Sequence, residues 1–213
     1  MAEIRKRTAA HLLESKAIIL SPENPFTWAS GWLSPIYCDN RVTLSCPGVR
    51  DFIKGAFQET IMNRFGKPDL IAGVATGAIA QGALVADLMD LPMIYVRSAA
   101  KGHGRQNLIE GRMEPGQHVV VVEDLISTGG SSLKAVEAIR EAGGVVEGMV
   151  AIFTYGFTVA EEAFDRAGVK LFTLSDYNTL IGMALETGYI EPNQVALLSR
   201  WREEPSLWKG AGS

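Results

Sequence analysis

The sequence has little of what usually assigns a chain to a class at once. It has two cysteines, Cys38 and Cys46, with no CxxC or Cys/His spacing of the kind that holds zinc. Two thiols in a Pro- and aromatic-rich stretch suit a reducing compartment, so the chain is expected in the cytoplasm. A basic excess is missing: 20 Lys and Arg stand against 24 Asp and Glu, a formal net charge of −4. That argues against a general nucleic-acid binder. No apolar run makes a comfortable membrane span. The longest uncharged stretch, 70–86, is rich in Ala and Gly, contains Thr76 and Gln81, and is bounded by Asp69 and Asp87. The first twenty residues do not read as a signal peptide, because Glu14 and Lys16 interrupt a short apolar cluster. Also missing are the GxxxxGK[ST] of a P-loop, a GxGxxG after a strand and the GxSxG of a hydrolase. Neither nucleic acid nor membrane is expected as a partner.

What remains is an ordinary folding composition, 47% hydrophobic and 21% charged over 213 residues. It can bury a core without disulfides or metal. No repeat or domain boundary interrupts it, so residues 1–213 are read as one domain. Residues 3–18 read as an amphipathic helix with Ile4, Leu12, Leu13 and Ile18 among its apolar positions. An irregular segment follows at 21–41, with three prolines, two tryptophans, a Phe and a Tyr. So many aromatics suggest a pocket wall rather than a linker. Pro47 suits the first position of the next helix, and Gly66 is placed to end it. From there strands and helices alternate: strands at 70–74, 93–97, 118–123, 145–154 and 170–174, with helices at 78–89, 131–142 and 159–167. A polar loop runs from the second of these strands to about Gly111, and two helices, near 178–186 and 193–203, close the chain. Alternation of this kind implies an α/β fold with a parallel sheet, and the run Val119–Val122 suits a strand covered on both faces.

Two stretches carry chemistry. In HVVVVEDLISTGGSS, residues 118–132, a buried strand is expected to end in Glu123 and Asp124, followed by a Ser-Thr-Gly-Gly-Ser turn and a helix start. Ligands bind at the carboxyl ends of parallel strands. Gly129 and Gly130 allow close backbone approach, the helix start favours a phosphate, and Ser127, Thr128 and Ser131 add hydroxyl donors. The two carboxylates would repel that phosphate but suit the vicinal hydroxyls of a sugar, or a metal ion. Together these groups describe a ribose 5-phosphate site. The alternative, a capped turn with incidental acids, leaves this combination of residues unused. In the second stretch, 97–112, Arg97, Lys101, Arg105 and Arg112 face the single acid Glu110, with His103 among glycines 102, 104 and 111. A mobile cationic loop suits a lid over a polyanion.

VVVVEDLISTGGSS closely resembles the phosphoribosyl-pyrophosphate (PRPP) motif of the type I phosphoribosyltransferases. Arg97 followed by Lys101-Gly102-His103-Gly104 looks like the catalytic loop of one branch, the orotate phosphoribosyltransferases. The pattern F-T-x-x-S-G-x-x-S-P-x-Y at 26–37 resembles the hood that covers the pyrimidine there. The resemblance implies a parallel-sheet, Rossmann-like phosphoribosyltransferase core at about 69–175, with residues 1–45 forming an N-terminal helix and hood. It implies that Glu123, Asp124, Leu125, Ile126, Ser127, Thr128, Gly129, Gly130 and Ser131 bind PRPP. Arg97, Lys101 and His103 would contact the pyrophosphate from a neighbouring subunit of a homodimer, whose site the loop 97–112 completes. Tyr37 and Ser127 would lie beside orotate, and the loop 73–78 beside pyrophosphate. Lys101 and Asp124 are the candidate catalytic residues, with Mg2+ as cofactor and no protein ligand assigned to it. Ala29, Leu33, Gly77 and Ser98 stand where members of the family often carry lysine. The implied activity is transfer of phosphoribose from PRPP to orotate, in pyrimidine biosynthesis. Rival readings are a phosphoribosyltransferase for another base and a PRPP-binding regulator without turnover.

Overall fold

A computed structural model describes residues 1–28, 31–99 and 108–210. Helix α1 (Ala2–Glu14) buries Ile4, Ala9, Leu12 and Leu13, and it stops short of the expected end at residue 18. The Ser15 hydroxyl donates to the His11 carbonyl at 2.6 Å, and Lys16 takes a left-handed φ of 57°. Ile18 is therefore not a helical position. It opens strand β1 (Ile18–Leu20), because the run Ile-Ile-Leu, two of its members stiff at χ1, finds a strand partner. The segment read as irregular also contains β2 (Phe26–Thr27), β3 (Leu33–Ser34) and β4 (Ile36–Cys38). These form two short antiparallel ladders, with Ile18 opposite Cys38 and Leu20 opposite Ile36 in one, and Phe26 opposite Ser34 in the other. A 3₁₀ turn (Asn40–Ser45) leads into α2 (Pro47–Arg64), which has proline in its first turn; Gly66 follows it at φ 76°.

The remainder runs β5 (Leu70–Val74), α3 (Ile79–Met89), β6 (Met93–Val96), β7 (Ile109–Glu110), β8 (His118–Ile126), α4 (Gly130–Glu141), β9 (Val145–Thr154), α5 (Thr158–Arg166), β10 (Leu171–Asp176), α6 (Tyr177–Glu186) and α7 (Pro192–Glu203). The sheet order is β10-β9-β8-β5-β6-β7. All pairs are parallel except β6–β7, where Tyr95 faces Glu110 and Val96 faces Ile109. Ile109–Glu110 was expected within the polar loop. It is an edge strand instead, because Leu108 and Ile109 pack on the core beneath α4 and α5.

The alternation of strand side chains divides the core. Ile71, Val120, Val122, Val150 and Ile152 join α1, α2, α3, α6, α7 and the hood on one face. Leu70, Ala72, Val119, Val121, Met149 and Ala151 join α4 and α5 on the other. All four valines of β8 are fully buried, which explains why no polar residue interrupts them. The order reverses between β5 and β8: the chain leaves β5 for β6 on one side and β8 for β9 on the other. Open α/β sheets bind ligands at such a switch point, outside the carboxyl ends of the strands.

Candidate active site

Strand β8 does not end at Glu123 as expected. It runs on to Ile126, because β9 continues to pair with it, Glu123 with Ala151 and Ile126 with Thr154. On the other side β5 pairs only as far as Val122. The last residues of β8 are thus held by one strand and open on the other flank.

The two acids there differ. Glu123 is buried; its carboxylate accepts from the Ser132 hydroxyl at 2.8 Å and from the Asp124 N–H at 2.9 Å. Burial, and then the hydrogen bond and charge of Asp124, push its pKa up to about 8, so it holds its proton near neutrality. Asp124 is half-buried and lies against the loop after β5. A Cβ at Gly77 would come within 2.4 Å of its carboxyl carbon. A side chain at 77 would thus require the Asp124 carboxyl to move.

Past Ile126 the chain turns through Ser127 and Thr128 to Gly129, at φ 80°, and enters α4. Only glycine takes this conformation without strain, and a Cβ at 129 would also press to 2.9 Å on the Phe164 ring. Ser127 is half-buried, while Thr128, Gly130 and Ser131 are exposed at the helix start. Free backbone N–H groups and hydroxyls at such a helix start suit an anion. Ser132 was not anticipated as a site residue, although it lies within the same motif. It serves Glu123 instead of an anion.

Beside this turn opens a cleft of about 330 Å³ lined by Thr27, Trp28, Tyr37, Cys38, Leu125, Ser127 and Tyr155. Its walls come from the hood, the end of β8 and the residue after β9. Trp28 donates to the Ile36 carbonyl at 3.2 Å and lies 5.3 Å from the Tyr155 ring. Burial holds the Tyr155 hydroxyl protonated. Burial and the charges of Asp124 and Asp39 push the Cys38 thiol well up, so it is neutral. Tyr37 is 43% exposed and reaches the cleft from β4. Tyr155 and Cys38 were not anticipated; an aromatic one residue beyond a parallel strand was the available signal for Tyr155. A larger cavity of about 480 Å³ lies between α5, β10 and α7. It carries charges of both signs and contains neither Asp124 nor the hydroxyls of the turn, so the smaller cleft is the one that adjoins the chemistry.

At the base of the cationic loop, the Arg97 N–H donates to the Leu108 carbonyl at 2.8 Å, and its guanidinium lies 3.5 Å from Glu110. Lys101, His103, Gly102, Gly104 and Arg105 lie outside the described residues, as does Ala29. Among the described residues, no three His, Cys, Asp or Glu side chains form a metal-binding group, and no helix is long and apolar enough to cross a membrane.

Comparison with known proteins bears on this geometry. The phosphoribosyl transferase domain family matches residues 45–175. The chain is similar to the orotate phosphoribosyltransferase of Bacteroides thetaiotaomicron, 61% identical over 98% of both chains. It is similar to that of Listeria innocua, at 53% over 96% of this chain and 98% of the other. Among solved structures it resembles the orotate phosphoribosyltransferase of Aeropyrum pernix, with a TM-score of 0.74 and 28% identity, over 86% of this chain and 99% of that one. It also resembles the Mycobacterium tuberculosis enzyme in complex with PRPP, with a TM-score of 0.64 and 25% identity, over 84% and 99%.

Proposed function

The chain belongs to the phosphoribosyltransferase family, among its orotate phosphoribosyltransferases, and from that premise we propose that it transfers phosphoribose from PRPP to orotate, giving orotidine 5′-monophosphate and pyrophosphate. The observation that carries the reading is adjacency. One strand end presents a sugar-facing acid, Asp124, an anion cradle at 127–131 and, through Leu125 and Ser127, the floor of an aromatic cleft. A ribose 5-phosphate bearing a base needs these three surfaces side by side.

In this reading residues 127–131 take the 5′-phosphate, and Asp124 accepts hydrogen bonds from the ribose hydroxyls. Leu125 and Ile126 set the strand, and Glu123 backs it from within. The cleft takes the pyrimidine beside Tyr37 and Ser127. The bond from the anomeric carbon to pyrophosphate breaks as the ring nitrogen of orotate bonds to that carbon. Positive charge builds on the sugar, so the protein's work is positioning and stabilising the leaving group. Arg97, Lys101 and His103 would face the pyrophosphate from the neighbouring subunit of a homodimer, with Lys101 stabilising or protonating it.

Magnesium fits this donor set as an ion carried largely by the substrate. Both Glu123 oxygens are engaged within the protein, which leaves Asp124 as the carboxylate that would reach it, alongside substrate oxygens and water, as this ion prefers. When bound, it would neutralise pyrophosphate charge. The whole chain is read as one domain, with the hood of 1–45 over the core of 69–175; the cluster that runs from Ile4 to Trp208 supports this. The two free thiols suit the cytoplasmic setting of pyrimidine biosynthesis. Orotate-dependent release of pyrophosphate from PRPP is the deciding measurement. Release with another base and none with orotate would overturn the substrate, and PRPP binding without release would leave a regulator.

A further inference from the structure

Beyond Val122 strand β5 no longer flanks β8. The Asp124 carbonyl takes a hydrogen bond from a side chain instead: Asn40 Nδ2 donates to it at 2.6 Å. Asn40 is 1% exposed. Its other amide atom, Oδ1, accepts from the Cys38 thiol at 3.5 Å, and Cys38 lines the cleft. The residue is also held from below. Its own carbonyl accepts from the Thr43 hydroxyl at 2.6 Å, and Thr43 accepts from Gln81 at 3.3 Å. One buried amide therefore bridges the hood strand that carries Tyr37 and Cys38 and the strand that carries the sugar-facing acid.

We propose that Asn40 is a positioning residue of the transfer reaction: its side-chain amide, bonded to the Asp124 carbonyl and to Cys38, fixes the Asp124 carboxylate relative to the base cleft. This rests on the function proposed above. The reacting carbon and nitrogen are held by different parts of the chain, the ribose by β8 and the base by the hood. A misplacement of about 1 Å between such parts costs on the order of a hundredfold in rate. The amide is suited to the task because it donates and accepts at once, and a buried, satisfied amide has one low-energy orientation. Without it the Asp124 carbonyl would be an orphan acceptor beside the substrate.

The test is a double-mutant cycle on the purified full chain, read as kcat/KM for PRPP. Asn40→Ala is expected to lose roughly 10- to 100-fold. In an Asp124→Asn background the same change is expected to cost less than about threefold, because the carboxylate being positioned is already gone. Should Asn40→Ala fail to fold, Asn40→Asp keeps the shape, places an oxygen where the N–H₂ was, and is expected to show the same loss and the same non-additivity. Equal losses in both backgrounds overturn the proposal. So does an Asn40→Ala protein within twofold of wild type. Failure of the underlying function looks different: the wild-type protein itself would release no pyrophosphate with orotate.

Discussion

The two halves of the site are built differently. The half proposed to face ribose and phosphate is written in consecutive residues, Glu123 to Ser132, where one left-handed glycine and one helix start fix the geometry. The half proposed to face the base is assembled. Thr27, Trp28, Tyr37 and Cys38 come from the hood, Leu125 and Ser127 from β8, and Tyr155 from beyond β9. Trp201 of α7 is fully buried behind them. It donates to the Leu33 carbonyl at 3.2 Å and touches the rings of Trp28, Tyr155, Phe157 and Tyr177. A local motif can lose one ligand contact and keep its shape. An assembled wall stands only while the packing of distant segments does.

The largest expected effect follows from that difference. Trp201→Ala should destabilise the protein by about 3–5 kcal/mol, since it empties the centre of the aromatic cluster and orphans the Leu33 carbonyl. Chemical denaturation would measure this, and orotate affinity should fall in the protein that remains folded. A change below 1 kcal/mol would show that the hood stands without α7. Next comes Asp124→Asn, which on the proposed reading exchanges an acceptor of two hydroxyl hydrogen bonds for an amide, at about 1.5–3 kcal/mol, or roughly 10- to 100-fold in PRPP affinity. Calorimetry should show that loss with the denaturation midpoint unchanged. A loss of stability in place of affinity would erase the distinction between the halves.

The same difference decides what the sequence made legible. The alternation of strands and helices and the run HVVVVEDLISTGGSS carry their own geometry, so the sheet, the cradle and its acids could be placed from residues alone. The unequal roles of Glu123 and Asp124 could not. They depend on β5 stopping at Val74 while β9 runs on to Thr154, a relation between strands and not a property of either. Ile18 lies five residues from Leu13 and six from Leu12, neither a helical i+3 or i+4 spacing, and its apolar character alone does not separate the last turn of a helix from the first residue of a strand. Tyr155 and Trp201 were visible as apolar aromatics, but nothing local separates a cleft wall from a core. Asn40 was silent for the opposite reason: a short polar residue after a strand is ordinary until its partner, 84 residues away, is known.

A smaller effect probes the base half without unsettling it. Tyr155→Phe keeps the ring stacked on Phe157, at 5.3 Å and 18°, and removes only the hydroxyl. The KM for orotate should rise roughly two- to tenfold, the worth of about one neutral hydrogen bond, with the KM for PRPP unchanged. If both rise together, Tyr155 is bracing β8 as well as lining the cleft, and the two halves are less separate than their construction suggests.

The smallest effect lies at the other end of β8, where it serves as the control for the comparison. His118 opens the strand on the surface, its ring against Glu147 and its N–H donating to Asp69 at 2.8 Å. The hydrogen bond to Glu147 raises its pKa, with the charges of Glu147 and Asp69 adding to it. A folded-state pKa above the unfolded one means that the folded protein binds the proton more tightly. The stabilisation is therefore complete below the unfolded value near 6.5 and disappears as pH rises through the raised folded value. His118→Gln should accordingly lower the thermal midpoint slightly at about pH 5.5 and leave it unchanged at about pH 9, with no change in the KM for PRPP or orotate at either pH. The surfaces proposed for both substrates lie at the opposite end of a strand whose centre is four fully buried valines. A KM that followed His118 would mean that β8 transmits displacement along its length, and the division into a local half and an assembled half would have to be redrawn around the strand itself.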